Sequence, residues 1–203
     1  MNALIIILAL ALSLGIAFVT HPHGAGAVLI CSALAVPVAL VISQSEHKVF
    51  LLRLFAAALL ARMAVGTALH IFNLQVFFGA DAYTYDELGR ILAQVWAGNH
   101  GYIGPEELLG PFLERNWGMI YVVAALYTAV GRNMLAVQFF NSVLGAATAP
   151  IIFMCAHHIF GSLRVSRIAA LFVAFYPSLI LWSSQGLKDG PIVFLLALIM
   201  LAT

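Results

Sequence analysis

The side chains able to do chemistry in this chain are few, and they fall in two places. Asp81, Asp86, Glu87 and Arg90 lie within ten positions of one another in a chain with only 9 basic and 8 acidic residues. Lys188 and Asp189 stand side by side more than 100 residues later. A carboxylate within reach of a hydroxyl can act as a general base, and a fixed cation can stabilise a departing phosphate. Asp81 and Asp189 are the candidate carboxylates, with Arg90 and Lys188 as candidate cations. The two carboxylates could also share a divalent metal, but two oxygen-bearing side chains are fewer than such ions usually take, so no cofactor is expected and a metal is the minor alternative.

These residues need elements to position them. Thr84 followed three residues later by Glu87 reads as a capping box, which predicts a helix from about Ala82 to Ala97. Leu88, Ile91, Leu92, Val95 and Trp96 would line its apolar stripe, with Asp86, Arg90 and Gln94 sharing the other face at i, i+4 spacing. Such a helix lies in a membrane interface, its apolar side down and its charged side to water. The plain alternative is a solvated helix with an incidental Asp86–Arg90 pair. Asp81 falls outside that account, because it precedes the helix, just after Phe77-Phe78.

Composition sets the surroundings. A mean hydropathy of +1.06, with 64% hydrophobic and 8% charged residues, lies outside the range of soluble globular domains and implies an all-α, polytopic helical membrane protein. The net charge of +1 carries no basic face for nucleic acid, and none is expected as a partner. Cys31 and Cys155 lie inside apolar runs and read as small buried hydrophobes. The first apolar run has no basic residue before it, and another follows within a few residues, so it reads as an uncleaved span and not a signal peptide.

Spans are expected at about 2–20, 25–43, 51–72, 134–156 and 168–184, with a partial one at 191–203. His21 and His23, in the turn between the first two, are assigned no role. Arg53 can snorkel towards its adjacent loop. Arg62 lies deeper, where a guanidinium costs ~2.5–3.5 kcal/mol on insertion scales, so it should face the bundle and a partner. Gln138 and Asn141 read as interhelical hydrogen-bonders. Pro177 should bend or break its helix, and Trp182 reads as an interfacial anchor.

Residues 74–131 read as an outer cap, since residues 74–116 hold six of the eight acids and are too long for a simple connector. A second short helix should open at Pro105-Glu106-Glu107. The apolar segment Trp117 to Gly131 would cover only ~22 Å as a helix, short of a bilayer core. If it does not cross, the basic loop at Arg164 and Arg167 joins Lys48 and Arg53 on one side, as the positive-inside rule requires. The N-terminus, residues 44–50 and residues 157–167 are then cytoplasmic, with the cap and residues 185–190 outside. The whole is one membrane domain over 1–203, whose last apolar run is too short to cross, which suggests the N-terminal part of a longer chain.

On these residues a resemblance can be stated. Asp81-Ala82-Tyr83-Thr84-Tyr85 followed by Arg90 resembles the first outer loop of the C-type membrane glycosyltransferases, the superfamily of protein O-mannosyltransferases and aminoarabinose transferases. There an Asp precedes a Tyr four residues on and begins a juxtamembrane helix. YPSLILWSSQGLKDG is similar to the family's second outer loop, where an apolar helix with a central Pro ends at an acid, here Asp189. Trp117–Gly131 looks like the family's third juxtamembrane helix. The resemblance covers roughly Leu51 to Thr203. Ala82 departs from it, standing where many members carry Glu, as does Gln138, near where some carry Arg.

The resemblance implies a lipid bilayer and a polyprenyl-phosphate-linked sugar donor as partners, Asp81 as catalytic carboxylate, Tyr85 at the substrate and Lys188 or an arginine on the phosphate. It also implies a bacterial inner membrane, with the catalytic loop on the outer side and the 203-residue form inactive by itself. Two competing classes stand beside it: a transporter or assembly protein with the cap as docking surface, and an inactive truncated product. A carrier would more often place its charges in mid-span, where only Arg62 clearly lies.

Overall fold

A computed structural model describes residues 3–78, 80–99 and 118–203, and among these all regular structure is helical. Helices α1 (Ala3–Val19), α2 (His23–Ser43) and α3 (Lys48–Ile71) lead to a cap of α4 (Gln75–Phe78), α5 (Asp81–Trp96) and α6 (Gly118–Val130). Then follow α7 (Met134–Phe160), α8 (Leu163–Phe175), α9 (Pro177–Ser183) and α10 (Asp189–Ala202). Three of them, α2, α3 and α7, are long and apolar enough to cross a membrane. The α8–α9 pair makes a fourth if taken as one span, but it is bent by 52°. The span expected at 168–184 is thus broken, and the break falls at Pro177 as the sequence predicts, because proline has no N–H to continue the ladder. The expected helix at 105–113 lies outside the described residues.

Helix α7 is the centre of the bundle and is buried along most of its length. Its small residues Gly145, Ala146, Ala147 and Ala149 let neighbours approach closely. A Cβ at Gly145 would lie 2.4 Å from Ser183 Cβ and 2.9 Å from Arg62 Nε. Gly161, at φ 60°, ends α7 in the left-handed conformation, with its N–H on His157 O.

Three contacts fix the direction of α3 against α7. His47 stacks edge-on with Phe153 and His157, Arg62 reaches Gly145, and Gly66 sits against Gln138. The helices are antiparallel. The start of α3, the end of α7 and Arg167, whose guanidinium lies 5.3 Å from the Phe50 ring, therefore share one end. The end of α3, the start of α7 and Ser184, which also touches Gly66, share the other. Asn133 Nδ2 donates to His23 O at 2.7 Å, bringing the start of α2 to that second end.

The chain leaves the bundle at α3 and re-enters at α7 on this same end, so α6 does not carry it across. It packs on α5 instead. Tyr85, Leu88 and Leu92 of α5 bury against Ile120, Val123 and Tyr127 of α6, and the pair rests on the bundle through Val137 and Leu187. A Cβ at Gly89 would stand 2.4 Å from Val123 Cγ1, so the crossing needs glycine at that point.

Candidate functional site

The turn that leads to Asp189 packs on the start of α5, a Cβ at Gly186 standing 3.7 Å from Ala82 Cβ, so Asp81, Tyr85 and Asp189 lie at the cap end. Asp81 is the first residue of α5 and exposed, not a residue preceding the helix as the capping-box pattern predicts. Thr84 lies inside the helix, and Glu87 bonds Arg90 and Arg132 in place of a cap. Tyr85, one turn on from Asp81, is 3% exposed. Its phenol is held above the ordinary tyrosine range by burial first and then by the negative charges of Asp81 and Asp189. A hydroxyl that feels both carboxylates stays protonated and remains a donor.

Asp189 opens α10 after a turn that the buried face of α7 holds in place. Asn141 Nδ2 donates to Gln185 O and Leu187 O, both at 2.6 Å, and a Cβ at Gly190 would lie 3.4 Å from Asn141 Cβ. Asn141 thus bonds across the bundle, as its sequence position predicts. Gln138 is fully buried with neither side-chain polar atom hydrogen-bonded. Lys188 stands just before α10 beside Asp189 and is exposed. Behind Asp189, a cavity of about 30 Å³ lined also by Arg62, Thr148 and Ser183 has room for a water or two.

Arg90 stands apart from this group. Nine helical residues from Asp81 are two and a half turns, which puts Arg90 on the opposite face of α5. The expected Asp86–Arg90 pair does not form. Arg90 donates instead to Glu87, and to Gln94 Oε1 at 3.2 Å. Asp86, 8% exposed, accepts from Tyr127 Oη and pairs with Arg132 at 2.5 Å. Arg132 also reaches Glu87 at 3.1 Å.

The electrostatics follow that geometry. The hydrogen bond from Arg90 is the main cause that holds the Glu87 carboxyl below the usual range. Arg90 is raised chiefly by Glu87, and Arg132 chiefly by Asp86. Burial first, and then the bond to Asp86, keeps Tyr127 protonated. An open groove of about 330 Å³ runs beside Arg90, Asn99, Thr128 and Arg132, but Asp86 and Glu87 already engage both guanidinium groups. No local pattern announces Arg132 as the partner of Asp86, because 46 residues separate them.

Among the described residues no three His, Cys, Asp or Glu side chains gather to hold a metal. Compared with known protein families, curated proteins and solved structures, the chain matches none.

Proposed function

We propose that the chain is a multi-pass membrane protein, and that its cap end is the reaction site of a C-type glycosyltransferase acting on a polyprenyl-phosphate-linked sugar. The observation that carries this reading is the packing of the start of α5, which bears Asp81, on the turn that leads to Asp189, at the end of the bundle away from its basic loops. In the step this arrangement fits, Asp81 takes the proton of an acceptor hydroxyl as that oxygen attacks the sugar's anomeric carbon. The bond from that carbon to phosphate oxygen breaks, and the electron pair leaves on the phosphate, whose charge Lys188 is placed to stabilise. Tyr85, buried one turn on from Asp81, packs α5 against α6 behind that carboxylate. The positive-inside rule favours this end outside the cytoplasm, and the family resemblance implies the inner membrane of a bacterium.

Arg62 weighs against a carrier. Its guanidinium is occupied by backbone carbonyls and Ser183, which leaves it engaged inside the bundle and not facing a solute path. The test is sugar transfer from a polyprenyl-phosphate donor, measured in membranes that hold the protein expressed from its full coding sequence. Asp81→Asn, nearly isosteric and exposed, should lower the rate by roughly 10²–10⁴-fold with no change in thermal unfolding. Transfer at the parent rate in that variant would remove Asp81 from the chemistry.

A further inference from the structure

Three amide side chains at the cap end of the bundle, those of Gln138, Asn141 and Gln185, belong to residues that are each 0% exposed. Gln138 Oε1 and Nε2, Asn141 Oδ1 and Gln185 Oε1 are cut off from solvent, and among the described residues none of these atoms has a hydrogen-bond partner. Buried polar atoms left unmet in this way are costly. Gln138 and Asn141 stand three residues apart on one face of α7, and the turn at 184–188 lies across both. Asn141 Nδ2 donates to Gln185 O and Leu187 O at 2.6 Å each, while a Cβ at Gly66 would lie 3.1 Å from Ser184 O and 3.9 Å from Gln138 Cβ. Gln185 Nε2 is engaged by Leu181 O at 3.2 Å, so its oxygen is the free end of that amide. The turn is also a break between helices, since α9 stops at Ser183 and α10 starts at Asp189. The partial negative charge of the α9 C-terminus opens onto it.

We infer that Gln138, Asn141 and Gln185 hold a monovalent alkali cation against this turn, with their three amide oxygens as its ligands. Three unmet acceptors stand against a single unmet donor, Gln138 Nε2, and that surplus calls for positive charge. A water alone donates only two hydrogen bonds and leaves one oxygen unmet. A water beside the ion, by contrast, would add a ligand and accept from Gln138 Nε2. The ligands are all neutral, which suits a single charge, whereas divalent ions draw on carboxylates. In membrane bundles, unwound segments and the C-terminal ends of half-helices are where such ions are coordinated. The ion would tie α7 to the segment that carries Lys188 and Asp189, and it does so whether or not a reaction takes place there.

The test is the thermal unfolding midpoint of the detergent-purified protein, expressed from its full coding sequence, in sodium chloride and in choline chloride at equal ionic strength. Sodium about tenfold above its dissociation constant should raise the midpoint by roughly 3–6 °C, and the rise should saturate. Gln138→Met, close in volume, removes a ligand together with its unmet atoms. Its midpoint in choline should equal or exceed that of the parent, and its rise in sodium should fall to less than about a third. Gln94→Met, which removes an exposed amide on the cap, should keep the full rise.

Equal midpoints for the parent in the two salts overturn the inference, and this comparison decides even if Gln138→Met fails to fold. A full sodium rise in Gln138→Met overturns it too, because the ion would then bind elsewhere. A midpoint for Gln138→Met well below the parent in choline would make water the occupant in place of the cation.

Discussion

Asp86 and Asp81 lie five residues apart, and their surroundings give them opposite roles. Asp81 is exposed at the first position of α5, where the helix dipole favours a negative charge and no cation engages it locally in sequence. Asp86 is buried against α6, with Tyr127 and Arg132 on its oxygens. Sequence spacing alone gives Asp86 a solvent-facing partner one turn on and hence a mild loss on substitution. The structure reverses that expectation. Asp86→Asn leaves the Arg132 guanidinium without its nearest counter-charge and replaces an acceptor oxygen facing Tyr127 by an amide in one of two orientations. Since Arg132 is half exposed, water recovers part of the loss, and the cost should be about 1–3 kcal/mol. Lower thermal stability with residual transfer in Asp86→Asn, against full stability without transfer in Asp81→Asn, is the expected contrast. Unchanged stability in Asp86→Asn would mean that the Asp86–Arg132–Tyr127 group does not hold the cap.

At the scale of elements, the break between α8 and α9 and the arginine in α3 explain each other. Pro177 offers no N–H to Val173 O, and the turn into α9 likewise frees Ala174 O. Arg62 supplies the missing donors, with Nη1 on Ala174 O at 2.8 Å, Nη2 near Val173 O at 3.5 Å and Nε on Ser183 Oγ at 2.8 Å. A proline and a buried arginine, each unfavourable alone in an apolar helix, thus satisfy one another across the bundle. Arg62→Leu should lower stability by on the order of 2 kcal/mol or more, because several buried acceptors lose their donor. Arg62→Lys should fall between, since an ammonium on a flexible stem cannot reproduce the planar fork. Thermal unfolding that is the same for Arg62→Leu and the parent would show that the carbonyls find other donors. Sequence reasoning reaches the Pro177 break and the inward face of Arg62, because both follow from the cost of an unmet polar group in an apolar setting. It does not join them, since 112 residues separate Arg62 from Ala174 and only tertiary packing brings a carbonyl to a guanidinium.

Across the whole molecule, charge and topology agree. Apolar runs reveal the long helices, and their ends differ from the expected ones by a few residues where polar Lys48 and His157 continue a helix beyond its apolar stretch. The short segment before Gly131 is the element on which orientation turns, and packing answers what its length alone leaves open: it lies on α5, while α3 and α7 run antiparallel from a shared end. The cap and Lys188 lie at one end of the bundle and the turn at Leu163 at the other. Single cysteines at Asn99, Lys188 and Leu163, all exposed positions, report this directly. Leu187 is a poorer choice than Lys188 because its side chain is buried. The native Cys31 and Cys155 are buried too and should react slowly. In intact cells, a membrane-impermeant maleimide should label positions 99 and 188 and spare 163, and permeabilisation should expose 163. Labelling of 163 with protection of both 99 and 188 would invert the molecule and put the candidate carboxylates in the cytoplasm. Labelling that separates 99 from 188 would place α6 across the membrane and part Asp81 from Asp189, and with it the site itself would be lost.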